Sequence, residues 1–123
     1  MAVYRLAASA EEDIAQLLAY TSTNFGEIAR IRYERLLITA LRDIAADPMR
    51  TGSVARAEFG DNVRSYHLRY SRDRARTDHG IVQRPRHLLL YRAATGVIGI
   101  GRVLHDVMEL ERHLPAVYGD DGR

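Results

Sequence analysis

Between Tyr33 and Ile44, six apolar residues (Tyr33, Leu36, Leu37, Ala40, Leu41 and Ile44) recur at the spacing that lines one side of an α-helix. Arg32, Arg35, Arg42 and Asp43 fall outside that stripe. A helix with so broad an apolar side must lay it on a second layer of structure, and this requirement limits the fold more than any other feature. The helix should stop before Asp47-Pro48, because the residue ahead of a proline is pushed out of helical geometry.

The flanking sequence supplies the rest of the layers. Upstream, Ser9-Ala-Glu-Glu12 reads as a capping box opening an earlier helix, and Ile14, Leu17, Leu18 and Thr21 follow at helical spacing. That helix should fade around Thr23-Asn24-Phe25-Gly26, so the two helices form an antiparallel hairpin. Ala2–Ala7 reads as a first strand. Residues 49–62 lack periodicity and read as a loop. Arg64–Tyr70 alternates Tyr66, Leu68 and Tyr70, the pattern of a half-buried strand. His87–Arg92 and Val97–Leu104 are two more strands, joined as a hairpin through Ala93–Gly96. His105–Leu114 reads as a short last helix before Pro115, and 116–123 as a flexible tail. The expected fold is α+β with the order β-α-α-β-β-β. A small antiparallel sheet, a three-stranded meander plus the N-terminal strand, lies under the helical hairpin. One domain, residues 1–115, accounts for this.

Charge is distributed unevenly. All 18 basic residues are arginine, and none is lysine. Residues 64–92 hold eight arginines against Asp73 and Asp78, a balance of +6. Residues 1–47 (five arginines, seven acids) and 93–123 (three against five) each balance at −2. The middle of the chain is therefore a basic island suited to an acidic protein or a phosphate backbone. Part of it, Ser71–Arg86, is longer than the two flanking strands need and reads as an insertion. Its tip at Asp78-His79-Gly80 would make an extended basic hairpin or a loose loop. Arg72, Arg74 and Arg76 are its candidate contact residues.

Several chemistries drop out. The chain has no cysteine, which removes disulfides and thiolate chemistry. No apolar run approaches the ~20 residues of a membrane helix, and the opening residues lack a secretory apolar core, so a cytoplasmic protein is expected. His67, His79 and His87 have no metal-ligand spacing, so neither metal nor cofactor is expected. Gly96, Gly99 and Gly101 lie in a turn and a strand, outside the strand–loop–helix setting of a phosphate loop. Asp13, Glu109 and Glu111 read as solvated helix positions. His105 and His113 are the natural acid–base candidates, although a strand end and a terminal helix need not bring them together.

Four stretches, in order, resemble the ParE branch of the RelE/ParE toxins. These are YRLAASAEEDIAQLLAYTSTNFG, ADPMRTG, the pair NVRSYHL and RHLLLYR, and IGIGRVLHDVMELERHLP. The resemblance spans Val3 to Leu114. It implies a toxin of a type II toxin–antitoxin system, neutralised by a ParD-like ribbon-helix-helix antitoxin and acting without catalysis on DNA gyrase. Any contact with DNA would come indirectly, through that complex. Arg64, Arg92, Arg102, His105 and Arg112, with Arg72, Arg74 and Arg76, are the expected target-binding residues. Ile14, Leu17, Leu18, Tyr33, Leu37 and Leu41 are expected to receive the antitoxin in an apolar groove between helices and sheet. Two alternatives stay open. One is a RelE-like ribosome-dependent mRNA endonuclease using Arg64, Arg92 and His113. Against it, the basic pair that this branch carries after the last strand is replaced by Asp106-Val107. The other is an inactive homologue kept as a binding module.

Overall fold

The computed structural model describes residues 3–106. Strand β1 (Val3–Leu6) leads into helix α1 (Ala8–Phe25), and helix α2 (Glu27–Ala46) runs back beside it. Strands β2 (Ser53–Ala55), β3 (Val63–His67), β4 (His87–Ala94) and β5 (Val97–His105) follow. They form one mixed sheet in the order β1-β5-β4-β3-β2. From β2 to β5 each strand runs antiparallel to its neighbour, and β1 adds to β5 in parallel, Val3 opposite Val97. The α+β class, the helical hairpin and the β3–β4–β5 meander match the sequence expectation.

The stripe on α2 does what its spacing requires. Leu36, Ala40 and Ile44 are fully buried, packed with Tyr66, Leu89, Tyr91, Ile98 and Ile100 from the sheet. Each large apolar side chain in that layer contributes roughly 1.5–3 kcal/mol. Val63, Leu88, Leu90 and Leu104 form a smaller buried cluster on the other face, with Phe59 against it.

A bulge sets the phase of β5. Leu90 pairs with Arg102 and Tyr91 with Ile100, leaving Gly101 unopposed. Beyond it, odd-numbered residues face the helices, so Val103 joins the same core as Ile98 and Ile100.

Local details differ from the sequence reading. α1 begins at Ala8 with Ala7 as its cap, which offers no side-chain hydrogen bond, so Ser9 and Glu12 do not form the expected capping box. Ser9 Oγ instead donates to the carbonyl of the bulge residue Gly101 (2.8 Å), tying the first helical turn to the edge of β5. The stretch expected to be a loop, 49–62, contains β2 and a 3-10 turn at Ala57–Phe59. Three residues are too few to show alternation, and β2 owes its form to its pairing with β3. β3 ends at His67, not Tyr70, because the chain tightens into a 3-10 turn over Leu68–Arg74. The imidazole of His67 anchors that turn, Nδ1 accepting from the Arg69 N–H (3.0 Å).

The insertion is not an extended hairpin. Thr77 and Gly80 close a tight tip, and the segment folds back on the body. Arg32 Nε donates to the His79 carbonyl (2.7 Å) and Arg72 Nη1 to the Gln83 carbonyl (2.9 Å), while Ala75 is buried. β5 continues through His105, where the last helix was expected to start. The rest of that helix, with Arg112 and His113, and the tail 116–123 lie outside the described residues.

Candidate functional site

The β5 bulge brings His105 opposite His87 in the β4–β5 ladder, and the two rings meet edge to face with centroids 5.4 Å apart. Tyr33 of α2 closes on His87 from above, its hydroxyl 2.8 Å from Nδ1. The Tyr33 oxygen already accepts the Arg86 N–H (3.1 Å), so its own proton goes to His87 Nδ1 and the imidazole is neutral. Burial first, then the neighbouring His105, pushes His87 down to about 4. Burial likewise pushes the Tyr33 hydroxyl up to about 12.

On the far side of the same strand ends, His67 Nε2 donates to Asp106 Oδ2 (2.9 Å) while Nδ1 accepts from the Arg69 N–H, so both ring nitrogens are occupied. Burial lowers the His67 pKa despite that carboxylate. Burial alone would raise the Asp106 pKa, but the hydrogen bonds from His67 and Arg86 outweigh it and hold the carboxyl below the ordinary range. Asp106 also lies 3.5 Å from both Arg86 Nε and His105 Nδ1.

This cluster stands at one end of a groove of about 790 Å³. One wall is helical, with Leu17, Tyr20 and Phe25 from α1 and Arg32 from α2. The other is the returning insertion, Ile81 to Arg86, and the end of β5 supplies Arg102 and Val103. Tyr20 (60% exposed) and Phe25 (69%) stack edge to face at its rim. Four arginines (32, 84, 86 and 102) face one carboxylate, Asp13, a net charge of +3 with neutral histidines. Asp13 grips Arg102 with both oxygens (2.7 and 3.0 Å) and also accepts the Val103 N–H (2.9 Å). A smaller hollow of about 300 Å³ lies on the helix-free face, with Arg56, Ser65, His67, Arg69 and Asp106 in its walls.

The target-binding residues expected from sequence do not gather on one surface. Arg64 pairs across the ladder with Tyr91, on the helix side, and bonds Ser53 Oγ (2.6 Å). Arg92 pairs with Val63, on the opposite face, and donates to the Asp61 carbonyl (3.1 Å). Arg102 is clasped at the β5 edge, and His105 sits in the histidine cluster. Arg72 is tied to Gln83, and Arg74 (3.1 Å) reaches the buried carboxylate of Asp43. Arg76 is exposed.

Among the six expected antitoxin residues, Leu37 and Leu41 are core, and Ile14 and Leu18 pack half-buried against it. Leu17 and Tyr33 line the groove. Sequence reasoning missed Tyr20 and Phe25, and with them Arg32, Arg84 and Arg86 as one wall set. The visible signal was two aromatic residues near the end of α1, Tyr20 and Phe25, outside the stripe that faces the core. Among the described residues no group of three His, Asp or Glu side chains is placed to hold a metal ion, and no helix is long and apolar enough to cross a membrane.

A family model described as "ParE toxin of type II toxin-antitoxin system, parDE" matches residues 4–110. No curated protein matches the chain.

Proposed function

The chain belongs to the ParE toxin family of type II toxin–antitoxin systems, and from that premise we propose that it is a non-enzymatic toxin that binds and poisons DNA gyrase until a ParD-like antitoxin neutralises it. Both activities belong to the bacterial cytoplasm.

One observation carries the non-enzymatic reading. Arg64 and Arg92, the pair an mRNA endonuclease would need around one phosphate, project from opposite faces of the sheet. Pentavalent phosphate stabilisation needs such cations to converge within hydrogen-bond reach of the same oxygens. The histidines add to this. His67 has both nitrogens engaged and His87 is held neutral well below pH 7, so neither is poised to give up a proton at neutral pH.

The target surface we assign is the insertion that carries Arg72, Arg74 and Arg76, of which Arg76 is exposed while Arg72 and Arg74 are bonded to Gln83 and Asp43 in the free chain. Arg64, Arg92, Arg102 and His105 are assigned to the same target from separate positions in the fold, and Arg112 extends the set in sequence. Controlled expression tests the function. Filamentation with double-strand DNA breaks, and loss of supercoiling by purified gyrase, is the expected result. Prompt translation arrest with cleaved mRNA, and supercoiling unaffected, would establish the endonuclease instead. Replacing Arg72, Arg74 and Arg76 with Ser should abolish toxicity in a protein that still melts cooperatively.

A further inference from the structure

We propose that the hollow on the helix-free face binds one nucleotide unit, its base stacked on Arg69 and its phosphate held by Arg56. The site is separate from the groove beside α1 and uses none of the arginines assigned above. It gives the chain a direct contact with a nucleotide, either free or within an unpaired strand.

The hollow holds about 300 Å³, the lower end of the range for a small-molecule site and close to the bulk of a single nucleotide. Its walls divide by chemistry. The exposed Arg69 sets its guanidinium 4.7 Å from the centre of the Tyr70 ring and donates to the Tyr70 hydroxyl (3.0 Å), making a planar cationic stack. Gly52 gives that ring its seat, since an added Cβ would come within 2.5 Å of it. A flat guanidinium backed by an aromatic ring is a surface on which a nucleobase can lie. Val54, half exposed, and Leu88 supply an apolar wall for the sugar.

Arg56 supplies the anion contact. Its Nε donates to Ser65 Oγ (2.9 Å), which fixes the guanidinium at the wall. Glu58 is 3.7 Å from Nη1, a loose and exposed pair that contributes little. An entering phosphate therefore meets a cation already oriented. Two arginines against one wall carboxylate, Asp106, leave the hollow at +1 with His67 neutral. His67 (2.9 Å) and Arg86 (3.5 Å) already hold that carboxylate. A simple anion would use the arginines and leave the stack and the apolar wall idle, whereas a nucleotide engages all three. These groups support binding and not cleavage, because the imidazole in the wall, His67, has both ring nitrogens engaged.

The test titrates the full chain with adenosine 5′-monophosphate, with short single-stranded DNA and RNA oligonucleotides, and with inorganic phosphate. Calorimetry gives the affinities, and NMR follows the Val54 methyls and the Tyr70 ring. Saturable binding that shifts those signals is expected for the monophosphate or a strand. Tighter binding of a strand would identify nucleic acid as the source, and tighter binding of the monophosphate a free nucleotide. Inorganic phosphate should bind tenfold more weakly or worse, about 1.4 kcal/mol, because it cannot stack. Arg56→Gln and Arg69→Ser should each weaken nucleotide binding by tenfold or more. Arg42→Gln removes the same charge from the exposed part of α2, away from the hollow, and should stay within about twofold of the unmodified chain. Thermal melts confirm that all three variants are folded. The site is overturned by no saturable binding of any nucleotide probe, by unchanged affinity in either Arg56→Gln or Arg69→Ser, by equal loss in Arg42→Gln, or by inorganic phosphate binding as tightly as the nucleotide. None of these measurements involves gyrase or an antitoxin, so their failure leaves the toxin reading standing.

Discussion

Removing the carboxylate of Asp43 should destabilise this protein more than its single charge suggests. Asp43 sits on α2 with 4% of its surface exposed. Tyr66, fully buried, donates its hydroxyl proton to Ser71 Oγ (2.8 Å), and Ser71 donates to Asp43 Oδ2 (2.6 Å). On the other oxygen, Arg50 lies at 3.3 Å and Arg74 at 3.1 Å. One carboxylate thus ends a buried hydroxyl chain and anchors two segments, 48–52 and 68–74, that have little other regular structure. A hydrogen bond to a charged group contributes about 1.5–3 kcal/mol. Arg74, two-thirds exposed, adds at most about 1 kcal/mol. Arg50 is mostly covered, and leaving it without its anion brings the cost of Asp43→Ala to about 3–5 kcal/mol. For a chain of 123 residues that is roughly a 10–20 °C fall in melting temperature. Differential scanning calorimetry reads it directly. Arg74→Ala, which removes only the exposed partner, should lose under about 1 kcal/mol. A melting temperature for Asp43→Ala within 2–3 °C of the unmodified chain, roughly 1 kcal/mol or less, would refute the reasoning. So would an equal loss in Arg74→Ala.

Other perturbations have outcomes just as definite. Asp13→Ala removes three bonds that clasp α1 to β5, and denaturant titration should show a loss of about 2–4 kcal/mol. His87 titrates near 6.5 when unfolded and at about 4 when folded. Its contribution, on the order of 3 kcal/mol, is therefore full above pH 6.5 and lost as pH falls toward 4. Denaturation midpoints measured between pH 4 and 7 should rise with pH in the unmodified chain and rise less steeply in His87→Gln. At Gly52, φ is +102° and an added Cβ would come within 2.5 Å of the Tyr70 ring, whereas Gly96 (φ +79°) has open space. Gly52→Ala should therefore cost more than the roughly 1 kcal/mol of backbone strain expected for Gly96→Ala, with melting temperature as the readout.

Long-period patterns in the chain were legible, and short-range pairings were not. The α2 stripe announced its helix because six apolar positions share one phase, and the apolar runs of β4 and β5, joined by a Gly-containing turn, announced the hairpin of the sheet. Ser9 followed by Glu12 satisfied the rule for a helix cap, yet its hydroxyl serves a carbonyl 92 residues away that no local pattern reveals. β2 is invisible for a related reason: its form depends on β3 as neighbour and not on its own residues. Tyr70 continued the alternation of Tyr66 and Leu68, but the His67–Arg69 contact ended the strand first. The basic island was plain from charge counting. Its division into arginines bonded inward and arginines on the groove wall depends on backbone carbonyls, which every residue carries and composition cannot distinguish.

Gly101 decides which side chains the end of β5 presents because the ladder passes it over. Were the pairing to take it in opposite Leu90, every residue beyond it would exchange faces. Leu104 and Asp106 would then turn toward the helices, and Val103 and His105 away from them. A carboxylate would be driven into hydrocarbon, the His87–His105 contact would come apart, and the amide that Asp13 grips would slide out of reach. The strand thus contains one residue more than it displays, and a relative without that residue would present the same side chains in an unbroken ladder.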